Sequence, residues 1–203
     1  EGGYKSNRPS QGDFFHAQKA SIIEAVKAYL PFISIRHPRF ECDDVIATLV
    51  YKHTKEGDNC FVISSDSDFI QLHNMCNVTL YNPVAKKEVE KPDYDYVTWK
   101  ALRGDPTDNI FGIKGVGDKT ATKLVKNPKQ LKDFLTKNDN QEIFERNVNL
   151  IRLVDFSNDM SVLESNSCIG NFNKLQEIFT DLEFNSMLKD KTWNKYVDTF
   201  RSL

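Results

Sequence analysis

A short apolar segment in the first half of the chain constrains the fold more than any other feature. Residues 60–64 read Cys-Phe-Val-Ile-Ser, a nearly continuous apolar run that is typical of a strand covered on both faces. An amphipathic helical pattern at 41–57 precedes it, and strand patterns occur at 32–35 and 78–81. Strand, helix and strand at this spacing predict a βαβ unit, and therefore an α/β domain with a parallel sheet.

The composition agrees with a folded chain and disfavours several classes of protein. The 203 residues include 27 Lys and Arg against 29 Asp and Glu, and 39% are hydrophobic, which suffices for one core and a small appendage. No apolar run approaches the roughly 20 residues of a membrane-spanning helix. The four cysteines form no C-x-x-C pair, which disfavours a zinc ribbon or a disulfide scaffold. This cysteine usage suits a reducing compartment, and no signal peptide is recognisable, so we expect a cytoplasmic protein without a membrane partner.

The character of the sequence changes after residue 92, which predicts three parts. Residues 1–92 are expected to form the α/β domain, with a polar arm at 1–12. Residues 93–165 are expected to form a small helical subdomain, and residues 166–203 a C-terminal helical segment. In that segment Trp193, Tyr196 and Phe200 recur at helical spacing, which indicates a core or a docking surface rather than a ligand site.

Three groups of acidic residues lie at the ends of predicted elements. The first opens the helix at 41–57, the second follows the buried strand, and the third lies in a turn after Gly104. Each group has a purely structural explanation, in the helix dipole, an Asx turn or a D-P-x-D turn. Together, however, the carboxylates would repel one another unless cations were present, and oxygen-only ligands select Mg²⁺ or Mn²⁺ over zinc. The predicted metal ligands are Glu41, Asp43, Asp44, Asp66, Asp68, Asp105 and Asp108.

Charge is segregated along the chain. Residues 41–68 contain seven acids against two lysines, whereas residues 112–132 contain six lysines against one aspartate. This distribution predicts a metal site beside a polyanion site, and two solvated faces of opposite sign are the alternative.

A pair of divalent metal ions roughly 3.5–4 Å apart can catalyse phosphodiester hydrolysis. One ion generates a hydroxide nucleophile, and both stabilise the charge on the phosphate.

A glycine-rich segment begins the basic block. Residues 112–117 read Gly-Ile-Lys-Gly-Val-Gly, which permits a tight hairpin followed by a helix whose N-terminus points outward. Such a hairpin binds a phosphate without reading a base, and a simple helix-turn-helix packing element is the alternative. The residues predicted to contact phosphate are Gly112, Lys114, Gly115, Gly117, Lys119, Thr120 and Lys123.

These motifs resemble the 5′-nuclease family of flap endonucleases and 5′–3′ exonucleases. They are E-C-D-D, S-S-D-S-D-F and L-R-G-D-P-T-D-N-I-F-G-I-K-G-V-G-D-K-T-A, in the order and spacing of the family. Residues 4–8, Tyr-Lys-Ser-Asn-Arg, resemble the element at the base of the family's helical arch. The chain is most similar to bacteriophage and bacterial polymerase-associated members.

The resemblance implies a PIN-like α/β domain with a mainly parallel sheet that lacks its first strand, plus a helix-hairpin-helix (helix-3-turn-helix) DNA-binding subdomain. It implies that the seven carboxylates serve two Mg²⁺ ions, for which Mn²⁺ can substitute. Which of Asp43 and Asp44 is an inner ligand stays open. Lys5 would reach the scissile phosphate, Arg8 would contact a neighbouring phosphate, and the hairpin would hold duplex DNA with a K⁺ ion.

The implied activity is structure-specific 5′ nuclease action on DNA with a 5′ flap or a single-stranded 5′ end, or on RNA–DNA primers, in the cytoplasm of the host cell for a phage protein. Family members carry an Asp-bearing strand and a second Asp ahead of the element at 4–8, so we expect a separate N-terminal chain to supply them, or the sequence to be a fragment. A non-catalytic DNA-binding module is one alternative. A PIN-like ribonuclease is another, but it would not need the hairpin lysines.

Overall fold

Eight α-helices and seven short strands form within the residues that the computed structural model describes, 3–6, 9–167 and 170–201. The helices are α1 (Asp13–Tyr29), α2 (Cys42–Lys55), α3 (Tyr96–Arg103), α4 (Asp118–Val125), α5 (Pro128–Leu135), α6 (Asn140–Ile151), α7 (Phe172–Asp181) and α8 (Asp190–Arg201). The strands are β1 (Ile33–Arg36), β2 (Cys60–Ile63), β3 (Val78–Asn82), β4 (Lys87–Glu88), β5 (Gly104–Asp105), β6 (Ile110–Phe111) and β7 (Glu164–Ser167). Among these helices, none has the length and apolar character needed to cross a membrane.

The chain divides into two compact units. The first unit contains Glu1–Pro9 and Phe40–Met160, and the second contains Ser10–Arg39 and Ser161–Leu203. Within the first unit the α/β part and the helical part have separate cores. The three-part division read from the sequence stays a prediction.

A parallel pair of strands forms the centre of the first unit. β2 runs parallel to β3, with Cys60 opposite Val78 and Ile63 opposite Tyr81, and β4 adds to the far side of β3 in antiparallel orientation. The 3₁₀ helix Ser67–Asn74 connects β2 to β3. The core beneath this sheet contains Ala47, Val50, Val62, Phe69, Leu72, Leu80 and Leu153. The predicted α/β class is confirmed, and β2 is an edge strand of the described sheet. The expectation that this strand is covered on both faces is wrong, because Val62 is buried whereas Phe61 and Ile63 on the other face are exposed.

The first predicted strand does not join this sheet. β1 pairs antiparallel with β7, with Ile33 opposite Ser167 and Arg36 opposite Glu164, and both strands belong to the second unit. The prediction of a βαβ unit that begins at 32–35 is therefore wrong, because the parallel pair consists of β2 and β3. A strand of four residues has too few alternating side chains to specify its partner strand. The apolar pattern at 32–35 therefore predicts that a strand forms, but not which sheet it joins.

In the helical part of the first unit, the hairpin at residues 112–117 packs against α3. Its core contains Leu102, Ile113, Val116, Ala121, Leu124 and Leu135. The fully buried side-chain amide of Asn147 on α6 donates hydrogen bonds to the carbonyl oxygens of Ala101 and Phe111, each at 2.9 Å. A buried amide with both bonds satisfied holds α6, α3 and β6 in one arrangement.

Two glycines allow the backbone to approach itself closely where the hairpin begins. A Cβ atom on Gly112 would lie 2.0 Å from the carbonyl oxygen of Arg103, and one on Gly104 would lie 2.3 Å from the amide nitrogen of Gly112. Because no side chain fits either position, the turn that carries Asp105 lies directly against the start of the hairpin.

The second unit consists of α1, α7, α8 and the β1–β7 ribbon. Its core contains Leu30, Leu175, Trp193 and Val197. The rings of Trp193 and Tyr196 stack with centroids 5.6 Å apart, and those of Tyr196 and Phe200 lie 4.9 Å apart. The aromatic stripe at the end of the chain is therefore part of a core, one of its two predicted roles.

Candidate active site

A cavity of about 1040 Å³ in the first unit is lined by all seven predicted carboxylates. They come from three parts of the chain: the start of α2, the segment that follows β2, and the turn between β5 and β6. The carboxylates are Glu41, Asp43, Asp44, Asp66, Asp68, Asp105 and Asp108. The fold thus brings together groups that the sequence places far apart.

Two of these aspartates also shape the backbone around them. The Oδ1 atom of Asp66 accepts a hydrogen bond from the amide of Asp68 at 2.9 Å and caps the 3₁₀ helix after β2. The Oδ1 atom of Asp105 accepts one from the amide of Thr107, also at 2.9 Å. A carboxylate that caps a backbone amide still has free lone pairs. Asp66 and Asp105 can therefore shape the backbone and also serve as metal ligands.

Asp68, Asp105 and Asp108 form a close group within the cavity. One carboxylate oxygen from each lies within 4.8 Å of the other two. Oxygen donors at such separations can converge on a hard divalent cation. Burial, followed by the charge of Asp66, raises the pKa of Asp43, so these two acids also face a common region.

Lys100, which the sequence patterns do not single out, lies between two of the predicted ligands. Its Nζ atom is 2.6 Å from Oδ2 of Asp105 and donates a hydrogen bond to Oδ1 of Asp68. Burial alone would lower the pKa of Lys100, but the two carboxylates outweigh that effect and raise it, so the ammonium group stays charged. Only 5% of the residue is exposed. Spacing along α3 carries no sign that this lysine is buried.

Lys100 affects its two partners differently. Burial disfavours the charged form of Asp105, yet the contacts with Lys100 and the amide of Thr107 lower its pKa. Burial raises the pKa of Asp68, and Lys100 offsets only part of that effect. The ammonium group of Lys100 therefore serves as one of the positive charges that balance the clustered carboxylates.

Lys5 lies at the rim of the cavity, where its Nζ atom is 2.5 Å from Oε2 of Glu41. The amide of Lys5 donates to the carbonyl oxygen of Asp108 at 2.9 Å, and the side chain of Asn109 donates to the carbonyl oxygen of Gly3 at 3.0 Å. These bonds hold the short segment at 3–6 on the turn that carries Asp108. Arg8, the other predicted phosphate contact, lies outside the described residues.

Asp43 and Asp44 have different surroundings. The Oδ1 atom of Asp44 accepts a hydrogen bond from the amide of Val154 at 2.8 Å, which ties the start of α2 to the segment after α6. Asp43 has the charge of Asp66 as its main electrostatic neighbour. Its Oδ1 atom also lies 3.5 Å from the Sγ atom of Cys42, whose thiol pKa is raised by burial and then by Asp43.

The hairpin buries its two apolar side chains and leaves the predicted lysines exposed. Ile113 and Val116 are buried, and the amide of Val116 donates to the carbonyl oxygen of Ile113 at 3.0 Å. Gly115 has a φ of +82°, the conformation that glycine adopts most easily. α4 starts after Gly117 without a side-chain cap. The exposed predicted residues are Lys114, Gly115, Gly117, Lys119, Thr120 and Lys123.

Comparison with known families identifies the class of this chain. The model of the 5′-3′ exonuclease N-terminal resolvase-like domain matches residues 2–101, and that of the 5′-3′ exonuclease C-terminal SAM fold matches residues 91–198. The chain therefore belongs to the 5′-3′ exonuclease family, and the resemblance read from its motifs is confirmed.

Individual relatives agree with this assignment. A 5′-3′ exonuclease of Aquifex aeolicus is 32% identical over 215 residues, which cover 92% of this chain and 71% of that protein. Ribonuclease H of Enterobacteria phage T4 is 38% identical over 124 residues, covering 55% and 40%. A thermostable DNA polymerase I of Thermus thermophilus is 36% identical over 141 residues, covering 65% and 16%. The matched region thus spans less than half the length of the last two relatives.

Solved structures share the fold. The bacteriophage T5 flap endonuclease, in a pseudo-enzyme–product complex with DNA and metal ions, has a TM-score of 0.55 at 20% identity over 74% of this chain and 66% of that chain. The T5 5′-exonuclease with bound zinc has a TM-score of 0.54 at 23% identity over 74% and 67%. At these identities the likeness supports the α/β and helical architecture.

Proposed function

We propose that this chain is a divalent-metal-dependent, structure-specific 5′ nuclease that hydrolyses phosphodiester bonds in primer or flap removal during DNA replication. The observation that carries the proposal is the convergence of seven carboxylates on one cavity, in the same unit as the lysine-bearing hairpin. Membership of the 5′-3′ exonuclease family supports the reaction class.

The donor set fits two Mg²⁺ ions, with Mn²⁺ as a substitute, because all seven predicted ligands are carboxylates. Asp68, Asp105 and Asp108 would hold one ion, since their oxygens already lie close together. Glu41, Asp43 and Asp66 would hold the other. Asp44, which accepts the amide hydrogen bond of Val154, would position this group from outside.

When bound, such ions would supply a hydroxide nucleophile at neutral pH and stabilise charge on the scissile phosphate. The residues of the chain prepare the site for that chemistry. Lys100 holds Asp68 and Asp105 in place and offsets their mutual repulsion. Lys5 would exchange its ion pair with Glu41 for a contact with the scissile phosphate, and Arg8 would contact the neighbouring phosphate.

The hairpin would hold duplex DNA without reading its sequence. Lys114, Lys119 and Lys123 are exposed, and contacts of lysines and helix N-termini with phosphates carry no base information. Gly115, Gly117 and Thr120 would offer backbone and hydroxyl groups to the same strand. Gly112 would act by seating the hairpin against Arg103. A K⁺ ion on exposed hairpin carbonyl oxygens would add a further bridge to phosphate.

The proposed substrate is a DNA duplex with a 5′ flap or a single-stranded 5′ end, and RNA–DNA primers as well, in the cytoplasm of a host cell. The T5 flap endonuclease in complex with DNA supports the first, and the phage T4 relative named Ribonuclease H supports the second.

We also propose that a separate N-terminal chain adds a strand to β2. β2 is an edge strand of the described sheet, and the side chains of Phe61 and Ile63 are 59% and 63% exposed. Unpaired strand edges flanked by apolar side chains recruit further strands. The added strand would bring its own Asp residues towards Asp43 and Asp66.

The test is Mg²⁺-dependent cleavage of a 5′-flap duplex by this chain, alone and mixed with the N-terminal region of a family member. The double variant Asp66→Asn, Asp68→Asn should lose cleavage and keep duplex binding within a few-fold, because the hairpin supplies affinity. Asp133→Asn, an exposed change on α5, is the matched control. Binding without cleavage in every mixture would favour the non-catalytic module, and preference for single-stranded RNA would favour a PIN-like ribonuclease.

A further inference from the structure

Three metal-ligating side chains meet at the C-terminal end of α2. His53, Glu56 and Asp58 each offer one ligand atom, and these atoms all lie within 4.8 Å of one another. α2 has 14 residues, which at 1.5 Å per residue puts this end about 20 Å from the end that carries Asp43. The group is therefore separate from the carboxylate cavity.

The distances within the group suit coordination of one ion. His53 Nδ1 lies 2.8 Å from Oδ2 of Asp58 and 3.7 Å from Oε2 of Glu56. Two ligands bonded at about 2.0–2.1 Å to a tetrahedral ion are about 3.3 Å apart. The observed separations lie on either side of that value, so an ion requires only small side-chain shifts.

The backbone holds the three residues on one closed turn. The carbonyl oxygen of His53 accepts hydrogen bonds from the amides of Asp58 at 2.9 Å and Glu56 at 3.1 Å. Gly57, with a φ of +92°, makes the left-handed step that ends the helix. The backbone that carries the three side chains is therefore ordered before an ion binds, which reduces the entropy lost on binding.

The charges near the group and the imidazole among its ligands together favour Zn²⁺ as the bound ion. The C-terminal end of a helix carries partial negative charge, which adds to the two carboxylates. Lys52 and Lys55 lie in the same last turn, so an ion held by charge alone would compete with two ammonium groups. An imidazole nitrogen among the ligands selects Zn²⁺ over Mg²⁺.

We propose that His53, Glu56 and Asp58 form a second metal site that binds Zn²⁺, with water as the fourth ligand. The ion would hold the turn between α2 and β2 and stabilise the folded chain, because the closed turn holds the three ligands together better than the unfolded chain does.

Imidazole NMR tests the site directly. The chain has four histidines, so long-range ¹H–¹⁵N spectra can resolve each ring. Zn²⁺ is titrated in the presence of excess Mg²⁺, which competes for the carboxylate cavity, and the His53 ring reports the proposed site whatever else takes up zinc. We expect Nδ1 of His53 to shift as Zn²⁺ is added, and the exposed His16 to stay unchanged over the same range.

Variants of the oxygen ligands provide the second measurement. Glu56→Gln and Asp58→Asn each remove one ligand charge with little change of shape and should weaken Zn²⁺ binding about tenfold or more. Asp133→Asn is the exposed control, and amide spectra report whether each variant is folded. A His53 ring that does not respond to millimolar Zn²⁺, or that responds equally in all variants, would overturn the proposal. Because no readout uses nuclease activity, either result is independent of the proposed function.

Discussion

The ammonium group of Lys100 lies 2.6 Å from the carboxylate of Asp105, and this pair makes α3 part of the candidate active site. The same helix also contacts α4, the helix that follows the hairpin. The indole nitrogen of Trp99 donates to Oγ1 of Thr122 at 3.1 Å, and the guanidinium of Arg103 pairs with Asp118 at the start of α4. One short helix therefore connects the residues proposed to hold metal ions with those proposed to hold DNA.

Replacing Lys100 should reveal its role as an internal cation. Lys100→Met leaves Asp68 and Asp105 facing each other with little solvent, and breaking a buried pair in this way costs about 3 kcal/mol. We expect that loss in EDTA and a smaller one in saturating Mg²⁺, which would replace the missing charge. Urea unfolding of both forms measures the difference.

Lys126→Met is the matched control, because Lys126 forms an exposed ion pair with Asp93 at 2.5 Å. Such pairs contribute about 0–1 kcal/mol, so this variant should stay close to the parent in either condition. An equal loss for Lys100→Met with and without Mg²⁺ would show that the lysine acts only in packing.

The hairpin lysines should set affinity without setting sequence preference. Lys119→Ala with Lys123→Ala is expected to weaken binding to all duplexes equally, and to reduce the salt slope by about one for each phosphate that the variant no longer binds. Lys129→Ala with Lys132→Ala, two exposed changes on α5, should have much less effect. Titrations of several duplex sequences over a range of salt measure both quantities. A changed base preference would contradict the proposed role of the hairpin.

Two hairpin glycines should differ in stability when each is replaced. Gly112→Ala puts a Cβ atom 2.0 Å from the carbonyl oxygen of Arg103 and should destabilise the fold by about 1–3 kcal/mol. Gly117→Ala meets nothing within 4 Å and has an ordinary negative φ, so it should cost less, about 0.5–1 kcal/mol for the poorer N-cap of α4. Urea midpoints of the two variants decide this, and similar midpoints would mean that the close approach at Gly112 relaxes at little cost.

The charge of Asp43 should destabilise the metal-free protein. Burial and the charge of Asp66 raise the pKa of Asp43, so the folded chain takes up this proton more readily than the unfolded chain. Its contribution to stability therefore rises as the pH falls towards the ordinary Asp range and is least favourable at neutral pH. Asp43→Asn should stabilise the chain in EDTA at pH 7, by up to about 1 kcal/mol after solvent screening.

The sign of that effect should reverse with metal. In saturating Mg²⁺ the parent gains stability from its ligands, and Asp43→Asn should gain less. Thermal unfolding of both proteins in EDTA and in Mg²⁺ gives the comparison. A variant that is less stable than the parent in EDTA would show that Asp43 is held by favourable contacts instead.

The meeting of the carboxylates in one cavity could be predicted from the sequence, because each group adjoins the start or end of an element that local patterns locate. Their role as metal ligands stays a prediction. Asp66 and Asp68, for example, follow the apolar strand β2. Lys100 could not be predicted, since spacing on a short helix does not distinguish a lysine that faces buried acids from one that faces water. The partner of β1 could not be predicted either, because β7 reads Glu-Ser-Asn-Ser, which has no strand propensity.

The open edge of β2 yields the last prediction. Phe61→Lys with Ile63→Lys places two charges beside that edge, and charged side chains block the addition of a strand. The variant chain should stay folded, because both side chains are largely exposed, but it should no longer gain flap cleavage when mixed with an N-terminal family fragment. Val84→Lys, a change at a residue that is 80% exposed and outside the strands, is the control and should respond like the parent. Full Mg²⁺-dependent turnover by the purified parent chain alone would show that no added strand is needed, and that the seven carboxylates of the cavity suffice.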